Sequence, residues 1–112
     1  MDENIQKILE VIVKKPTLEK AMDKELIHIH WTDRRVTAII VGVMGSHAVW
    51  IDLETGDYYC SCIGFLYNFT VCSHLARLLI EIGNIKGIIY IGELSKHILD
   101  RIRINQLKYR TN

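Results

Sequence analysis

Residues 60–74 read CSCIGFLYNFTVCSH and contain all three cysteines of the chain and one of its five histidines. They are arranged as CxC, nine further residues, and CxH. Residues two apart on a β-strand face the same side, so a strand through the CxC pair would bring both sulfurs to one point. The CxH pair fits a helix start best, with Ser73 as the N-cap and His74 in the first turn. The positive end of such a helix favours a thiolate at Cys72.

Three thiolates and one neutral imidazole form the closed four-ligand set that structural zinc prefers. Soft sulfur donors favour Zn²⁺ over calcium or magnesium, and a closed set leaves no position for a hydrolytic water. The residues therefore predict a structural zinc site whose ligands are Cys60, Cys62, Cys72 and His74. Three alternatives stay open: cysteines buried as small apolar residues, a disulfide that leaves one thiol over, and a nucleophilic cysteine with His74 as its base.

The residues before this stretch alternate with a period of two, which is typical of β-strands. We predict strands over residues 26–31 (LIHIHW), 36–43 (VTAIIVGV) and 48–53 (AVWIDL), and a fourth that begins with DYYCSC at residue 57. The connections TDRR, MGSH and ETGD are short and read as turns. Short connections favour an antiparallel meander.

Helical periodicity surrounds this predicted sheet. Apolar residues at i, i+3, i+4 and i+7 predict one helix over residues 3–15, ended or kinked by Pro16, and another after Cys72, closed by Gly83 and Asn84. Thr17 reads as the N-cap of a short second helix, and a last helix is expected from about Gly92 to Leu107. The predicted fold class is α+β: a small antiparallel meander flanked by helices, with one structural zinc at the sheet-to-helix junction.

Composition indicates an ordinary soluble globular domain, since 49% of the 112 residues are hydrophobic and 24% are charged. We predict one domain over residues 1–112, with N-terminal helices at 3–25, the finger core at about 36–82 and a C-terminal basic helix at about 92–110. No apolar run is long enough to cross a bilayer, and the N-terminus lacks the apolar region of a signal peptide. We therefore expect no membrane partner, a cytoplasmic location (nuclear in a eukaryote), and reduced thiols.

The CxC–CxH pattern, with a predicted hairpin before it and an apolar helix after it, resembles the SWIM zinc finger. The resemblance covers residues 36 to 82 and implies Cys60, Cys62, Cys72 and His74 as zinc ligands. The family is associated with DNA binding and with protein–protein contacts. One branch, the SWIM subunit of Shu-type complexes, works with RecA-family recombinase paralogues in homologous recombination. That branch commonly has alanine three places after the motif histidine, whereas Ala76 stands two places after His74 here.

Two segments are candidate contact surfaces. The loop IGFLYNFTV contains Phe65, Tyr67 and Phe69, which could stack on bases, anchor a protein interface, or cover the zinc site and the sheet. The basic C-terminal segment and the finger helix supply the candidate phosphate contacts Arg77, Arg101, Arg103, Lys108 and Arg110. A solvated basic helix end explains these cations equally well. Of the other histidines, His28 and His30 are expected on an open strand face, and His47 in an exposed turn.

The sequence contains no Gly-rich phosphate loop and no carboxylate cluster of the kind that holds a nuclease metal, so we expect no enzymatic activity. The predicted function is that of a zinc-binding, DNA-associated accessory protein, with a role in homologous recombination and a RecA-family paralogue as a candidate partner. The alternative is a protein-interaction adaptor for a partner ATPase that makes no direct DNA contact. The net charge of +1 favours the adaptor, and the basic C-terminal segment favours DNA. The sequence leaves open whether the chain forms a homodimer.

Overall fold

The computed structural model describes residues 1–68 and 70–110, without the side chains of residues 66–68, 109 and 110. Its elements follow the order α1 (Glu3–Leu9), α2 (Lys15–Met22), β1 (Glu25–Trp31), β2 (Arg35–Gly42), β3 (Gly45–Asp52), β4 (Tyr58–Cys60), α3 (Ile63–Asn68), α4 (Ser73–Lys86) and α5 (Ile88–Arg110). The predicted α+β class is confirmed. None of the helices in this described part of the chain combines the length and the apolar character needed to cross a membrane.

The strands form one antiparallel sheet in the order β1-β2-β3-β4, which confirms the predicted meander. Alternation on β2 gives the sheet two distinct faces. Val36, Ala38 and Ile40 are buried and define the inner face, whereas Thr37 and Ile39 point to the outer face and are only partly buried. The antiparallel register carries this division to the neighbouring strands.

A β-bulge on β1 changes the predicted pattern of that strand. The register shifts between Leu26 and His28, so Ile27 is 44% exposed, although simple alternation groups it with Ile29 and Trp31. An extra residue in one strand reverses the facing of everything on one side of it. As a result Leu26, Ile29 and Trp31 pack against the core, and the intervening histidines are exposed as expected.

The inner face is covered by α4, which contacts all four strands, while α1, α2 and α5 pack against α4 from the other side. The apolar residues that predicted this helix are fully buried at its centre: Leu75, Leu78, Leu79 and Ile82. From α5, Leu94 and Ile98 join the same core, as their spacing indicates. The result is a sheet, one central helix, and an outer layer of helices.

The N-terminal helices begin and end at different residues from those predicted. Asp2 accepts hydrogen bonds from the N–H groups of Asn4 and Ile5 and caps α1, but α1 ends at Leu9 instead of residue 15. The β-branched residues that follow Leu9 are weaker helix formers. Pro16 lies in the first turn of α2, where a missing N–H costs nothing, so it begins a helix instead of ending one.

The two C-terminal helices are longer than predicted because Gly83 is not a cap. A Cβ added to Gly83 would lie 3.2 Å from Cγ2 of Ile5, so this glycine allows α1 to approach α4 closely. The helix continues to Lys86, and Gly87, whose φ is 94°, ends it. The last helix then begins at once, at Ile88 instead of Gly92.

The turn between β3 and β4 is held by the buried carboxylate of Asp52. Its oxygens accept hydrogen bonds from the N–H groups of Glu54 and Thr55 at 2.9 Å and from Nε of Arg34 at 2.8 Å. Burial by itself raises the pKa of Asp52, but these hydrogen bonds outweigh it and lower that pKa to about 2. In the same turn, Gly56 has a φ of 77° and lies against the backbone of α5.

Candidate metal centre

The structure brings the four predicted zinc ligands together at the end of the sheet where β4 stops and α4 starts. The ligand atoms of Cys60, Cys62, Cys72 and His74 all lie within 4.8 Å of one another. The first two residues are buried and the other two are partly buried. Donors around a tetrahedral zinc are separated by about 3.5–3.8 Å, so a contraction of about 1 Å or less converts this cluster into a zinc site. The donor set and its geometry fit the metal.

The first pair of sulfurs converges by a route different from the predicted one. Strand β4 ends at Cys60, so Cys62 is not the next inward residue of a strand. The chain instead turns towards α3, and the sulfur of Cys62 accepts a hydrogen bond from the N–H of Phe65 at 3.3 Å. The start of α3 therefore positions the sulfur of Cys62 at the cluster, whereas strand alternation positions only that of Cys60.

The second pair lies at a helix start, as predicted, with the N-cap one residue earlier. Cys72 occupies the N-cap position with extended backbone angles (φ −83°, ψ 175°), and α4 begins at Ser73. His74 lies in the first turn, with its Nδ1 3.9 Å from the sulfur of Cys72. Both donors are consequently fixed by the same turn of helix.

Hydrogen bonding between the sulfurs sets their protonation. The thiol of Cys60 donates to Cys72 and, with His74, lowers the pKa of Cys72 to about 4 against the opposing effect of burial. The same contact and burial raise the pKa of Cys60, and burial raises that of Cys62. Cys72 is therefore the most readily deprotonated of the three cysteines. Binding of Zn²⁺ would release the protons of any ligand that is still a thiol.

The imidazole of His47 packs beside the cluster. His47 was predicted in an exposed turn, but it lies in β3, opposite Ile40, on the inner face. Its ring centroid is 4.4 Å from that of His74, and its Nδ1 is 3.3 Å from Oγ of Ser61. Burial, followed by the neighbouring His74, lowers the pKa of His47, so a neutral ring packs beside the ligand histidine. Its spacing of two and four residues from Val49 and Ile51 is the signal that places His47 on this face.

Lys24, in the connection between α2 and β1, offsets the charge of the site. Three thiolates with Zn²⁺ carry a net charge of −1. A Cβ added to Gly42 would lie 3.0 Å from Nζ of Lys24 and 3.6 Å from Nε2 of His74, so the ammonium group lies close to the cluster. Gly42 leaves the space that both side chains use.

The family model of the SWIM zinc finger matches residues 47–83. The matched segment begins in β3, contains all four clustered residues and ends at Gly83 in α4. The resemblance to this family is confirmed over that segment. Together with the Cys3His cluster, the match supports Zn²⁺ as the cofactor of this chain. Comparisons with curated proteins and with solved structures found no match.

The predicted aromatic loop contains a helix. Residues Ile63–Asn68 form α3, and Phe65 is only 6% exposed. Its ring packs edge-on against Tyr58 and Tyr59, with centroids 5.8 and 5.5 Å away. Phe65 therefore covers the sheet edge and is not available for stacking on a base. The side chain of Tyr67 and all of Phe69 lie outside the described residues.

The predicted phosphate contacts differ widely in their surroundings. Arg77 donates from Nε to the carbonyl of Lys24 at 3.1 Å and pairs with Glu81 at 3.2 Å, so it joins α4 to the start of β1. Arg101 is partly buried, and its charge acts on the nearby Tyr58. Arg77 is thus engaged by protein groups, and Nε of Arg101 is buried, so neither is a freely exposed cation.

The remaining cations of this set lie on the surface of α5. Arg103 is exposed and lies 3.9 Å from the carboxylate of Asp100, one turn earlier. Lys108 is exposed near the end of the helix. The side chain of Arg110 lies outside the described residues. The basic segment therefore presents fewer outward charges than its sequence suggests.

The structure contains two aromatic surfaces that the sequence does not predict. On the outer face, Arg35, Trp50 and Tyr59 form a continuous row across three strands. At the opposite end of α4 from the metal cluster, Trp31 and Tyr90 flank Lys86. Strand register could have paired Trp50 with Tyr59, but nothing in the sequence brings Trp31 next to Tyr90, which is 59 positions away.

Proposed function

We propose that this chain is a non-enzymatic, zinc-stabilised accessory protein that binds single-stranded DNA on the outer face of its sheet. The observation that carries the proposal is the row formed by Arg35, Trp50 and Tyr59. Aromatic side chains on an open surface stack on successive bases without sequence preference, and a neighbouring cation adds to the attraction.

The rings of the row are held in place by contacts with one another and with Arg35. The guanidinium carbon of Arg35 lies 3.9 Å from the centroid of the Trp50 ring. The rings of Trp50 and Tyr59 are nearly parallel, with an interplanar angle of 20° and centroids 6.1 Å apart. Tyr59 is in turn held by the edge of Phe65. The rings are thus fixed before a ligand arrives, which reduces the entropy lost on binding.

The outer face is open to solvent in the described structure. Helical packing on the sheet comes mainly from α4, on the inner face, and α3 touches β4. His28, His30 and Ala48 are exposed on the outer face beside the aromatic row. A flat, partly apolar face of this kind has room for several bases.

Charge on this face is sparse, which sets the expected mode of binding. Arg34 is engaged by Asp52 at 2.8 Å and lies 3.7 Å from Glu54, whereas no ion pair is found for Arg35 among the described residues. One or two phosphate contacts give a slope of only about −1 in log K against log salt for a single strand. We therefore expect stacking to supply most of the affinity and salt to weaken it only modestly.

The test uses the two tryptophans of the chain as separate reporters. Trp31→Phe leaves Trp50 as the only tryptophan, and a labelled oligo-dT should quench its emission and show binding by anisotropy at micromolar protein. Raising salt from about 50 to 200 mM should weaken binding only ~3- to 7-fold. Trp50→Leu should weaken it by about 5- to 100-fold, the value of one stacked base.

Arg103→Ala is the matched control, because it removes an exposed cation from α5 and leaves the sheet intact. Thermal melts should show that each variant is folded. Absence of binding at micromolar protein in ~50 mM salt would overturn the DNA proposal. Equal losses of DNA affinity in Trp50→Leu and Arg103→Ala would show that the outer face is not the site of DNA contact.

Within this proposal, the recombination role is that of an accessory to a RecA-family ATPase. The SWIM match and the absence of a recognisable catalytic motif in the sequence support an accessory role. A second candidate function is a protein-interaction adaptor without DNA contact. It is favoured by the three exposed isoleucines Ile85, Ile88 and Ile89 at the junction of α4 and α5. Co-purification with the RecA-family proteins of the same organism, with and without DNA, separates the two.

A further inference from the structure

An open groove lies at the end of the molecule opposite the metal cluster. It has a volume of about 460 Å³, and its walls include Trp31 at the end of β1, Leu53 after β3, and Tyr90 in α5. Helix α4 begins at the cluster and ends beside the groove. Its fourteen residues span about 20 Å, so the groove is a separate site from the zinc finger's metal centre.

One exposed isoleucine lines the groove, and two more exposed isoleucines follow it within four residues of sequence. Ile85 lines the groove and is 54% exposed, and Ile88 and Ile89, which follow in sequence, are 44% and 86% exposed. Single exposed apolar residues are ordinary on a protein surface, but several beside two aromatic rings resemble the apolar anchors of protein interfaces. Such a surface gains free energy when a partner removes it from water.

A cation is held in place over the aromatic walls. Nζ of Lys86 lies 5.3 Å from the centroid of Trp31 and 5.8 Å from that of Tyr90. No ion pair is found for Lys86 among residues 1–68 and 70–110. Contacts with two rings restrict the lysine rotamers before binding, so a partner carboxylate meets a partly ordered charge.

We propose that this groove binds a segment of a protein partner that buries an apolar side chain against Trp31 and Tyr90 and places a carboxylate on Lys86. The charge and the apolar rim select the occupant. Aliphatic isoleucines offer no flat surface to a base, and the lining of the groove has a single cation, Lys86, and one carboxylate, Asp33, so it offers no array of cations to a phosphate backbone. An acidic and apolar peptide satisfies both the lysine and the isoleucines. The inference does not depend on DNA binding by the outer face.

The experiment reads the groove through its own tryptophan. Trp50→Phe leaves Trp31 as the only tryptophan, and the probe is a synthetic twelve-residue peptide with a central Phe-Leu pair flanked by glutamates. Its partner probe has lysines in place of the glutamates. Saturable binding of the acidic peptide should shift the emission of Trp31 to shorter wavelength. The basic peptide should bind ~10-fold or more weakly.

Charge reversal supplies the matched variants. Lys86→Glu should reverse the preference between the two peptides, because the carboxylate then faces a like charge. Lys20→Glu is the control, since Lys20 is also an exposed lysine in the last turn of its helix. The chain that follows α2 leads to Lys24, which approaches Gly42 together with His74, so this end of the helix lies on the side of the metal cluster. Ile85→Asp, at a half-exposed position that lines the groove, should abolish binding of the acidic peptide while thermal melts stay close to those of the parent protein.

Three results would each overturn the proposal. The two peptides could bind equally or not at all at millimolar concentration. Lys86→Glu and Lys20→Glu could have the same effect, which would indicate non-specific charge. Oligo-dT could shift the emission of Trp31 more strongly than the acidic peptide, which would assign the groove to nucleic acid. The separate Trp50 reporter keeps this outcome distinct from DNA binding on the outer face.

Discussion

Gly56→Ala tests how closely the turn before β4 packs against the last helix, α5. A Cβ added to Gly56 would lie closest to the carbonyl carbon of His97, 2.6 Å from the backbone N of Ile98 and 2.7 Å from Cβ of His97. The first two are backbone atoms of α5, which cannot move aside as a side chain can. The substitution therefore has to displace either the turn or the helix.

The cost of this change has two parts. An alanine held in the left-handed region at φ 77° costs about 1–2 kcal/mol. Forcing an extra methyl group into a packed contact adds about 1–3 kcal/mol. The sum of ~2–5 kcal/mol is a large part of the stability of a typical domain and corresponds to a melting temperature lower by about 10–20 °C.

Gly45→Ala separates the two parts. Gly45 also has a positive φ, 112°, but a Cβ there would meet nothing within 4 Å, so only the backbone strain applies. Urea and thermal unfolding of both variants should show Gly56→Ala to be the more destabilising by ~1–3 kcal/mol. If the two variants lose the same stability, the turn does not pack on α5 as described and the reasoning fails.

Metal analysis should find one zinc per chain, and Cys60→Ser should lose it. Removal of the metal by a chelator should lower the melting temperature by ~10 °C or more, and an unchanged melt after confirmed removal contradicts this. Since Asp52 has its pKa lowered to about 2, its stabilising effect is complete above pH ~4 and is lost as pH falls towards 2. Asp52→Asn should therefore remove about 2 kcal/mol of that acid dependence in urea titrations; parallel pH profiles of the two proteins would disprove it. Gly92→Ala, inside α5 with open space around its Cβ, should stabilise the protein by ~0.5–1 kcal/mol in the same assay, and a loss of stability would show a hidden contact.

The sequence was informative wherever a pattern is local. The period of two gave the four strands, and the short turns gave their order. The spacing CxC–CxH gave the metal cluster and the family match that supports zinc. Element boundaries were less accurate. The sequence predicts that Pro16 ends or kinks the first helix and that Gly83 caps α4. Both predictions are wrong, because proline also fits the first turn of a helix and glycine also allows two helices to cross closely.

Surface roles could not be read in the same way. Arg77 and Arg101 have the charge of phosphate contacts, but packing pairs the first with Glu81 and buries Nε of the second. A side chain's charge is a property of the residue, whereas its exposure depends on distant parts of the chain. Phe65 illustrates the same limit, since the burial of its ring depends on its packing against Tyr58 in β4.

The sequence by itself therefore determined the fold class and the stretch CSCIGFLYNFTVCSH as a zinc site, because alternation, helical periodicity and ligand spacing act over a few residues. Only the tertiary structure decided which surfaces face a partner. The row on the outer face needs three strands in register, and the groove needs Trp31 brought beside Tyr90. Contacts between residues far apart in the chain depend on how α4 packs across the sheet, and no local pattern records that packing.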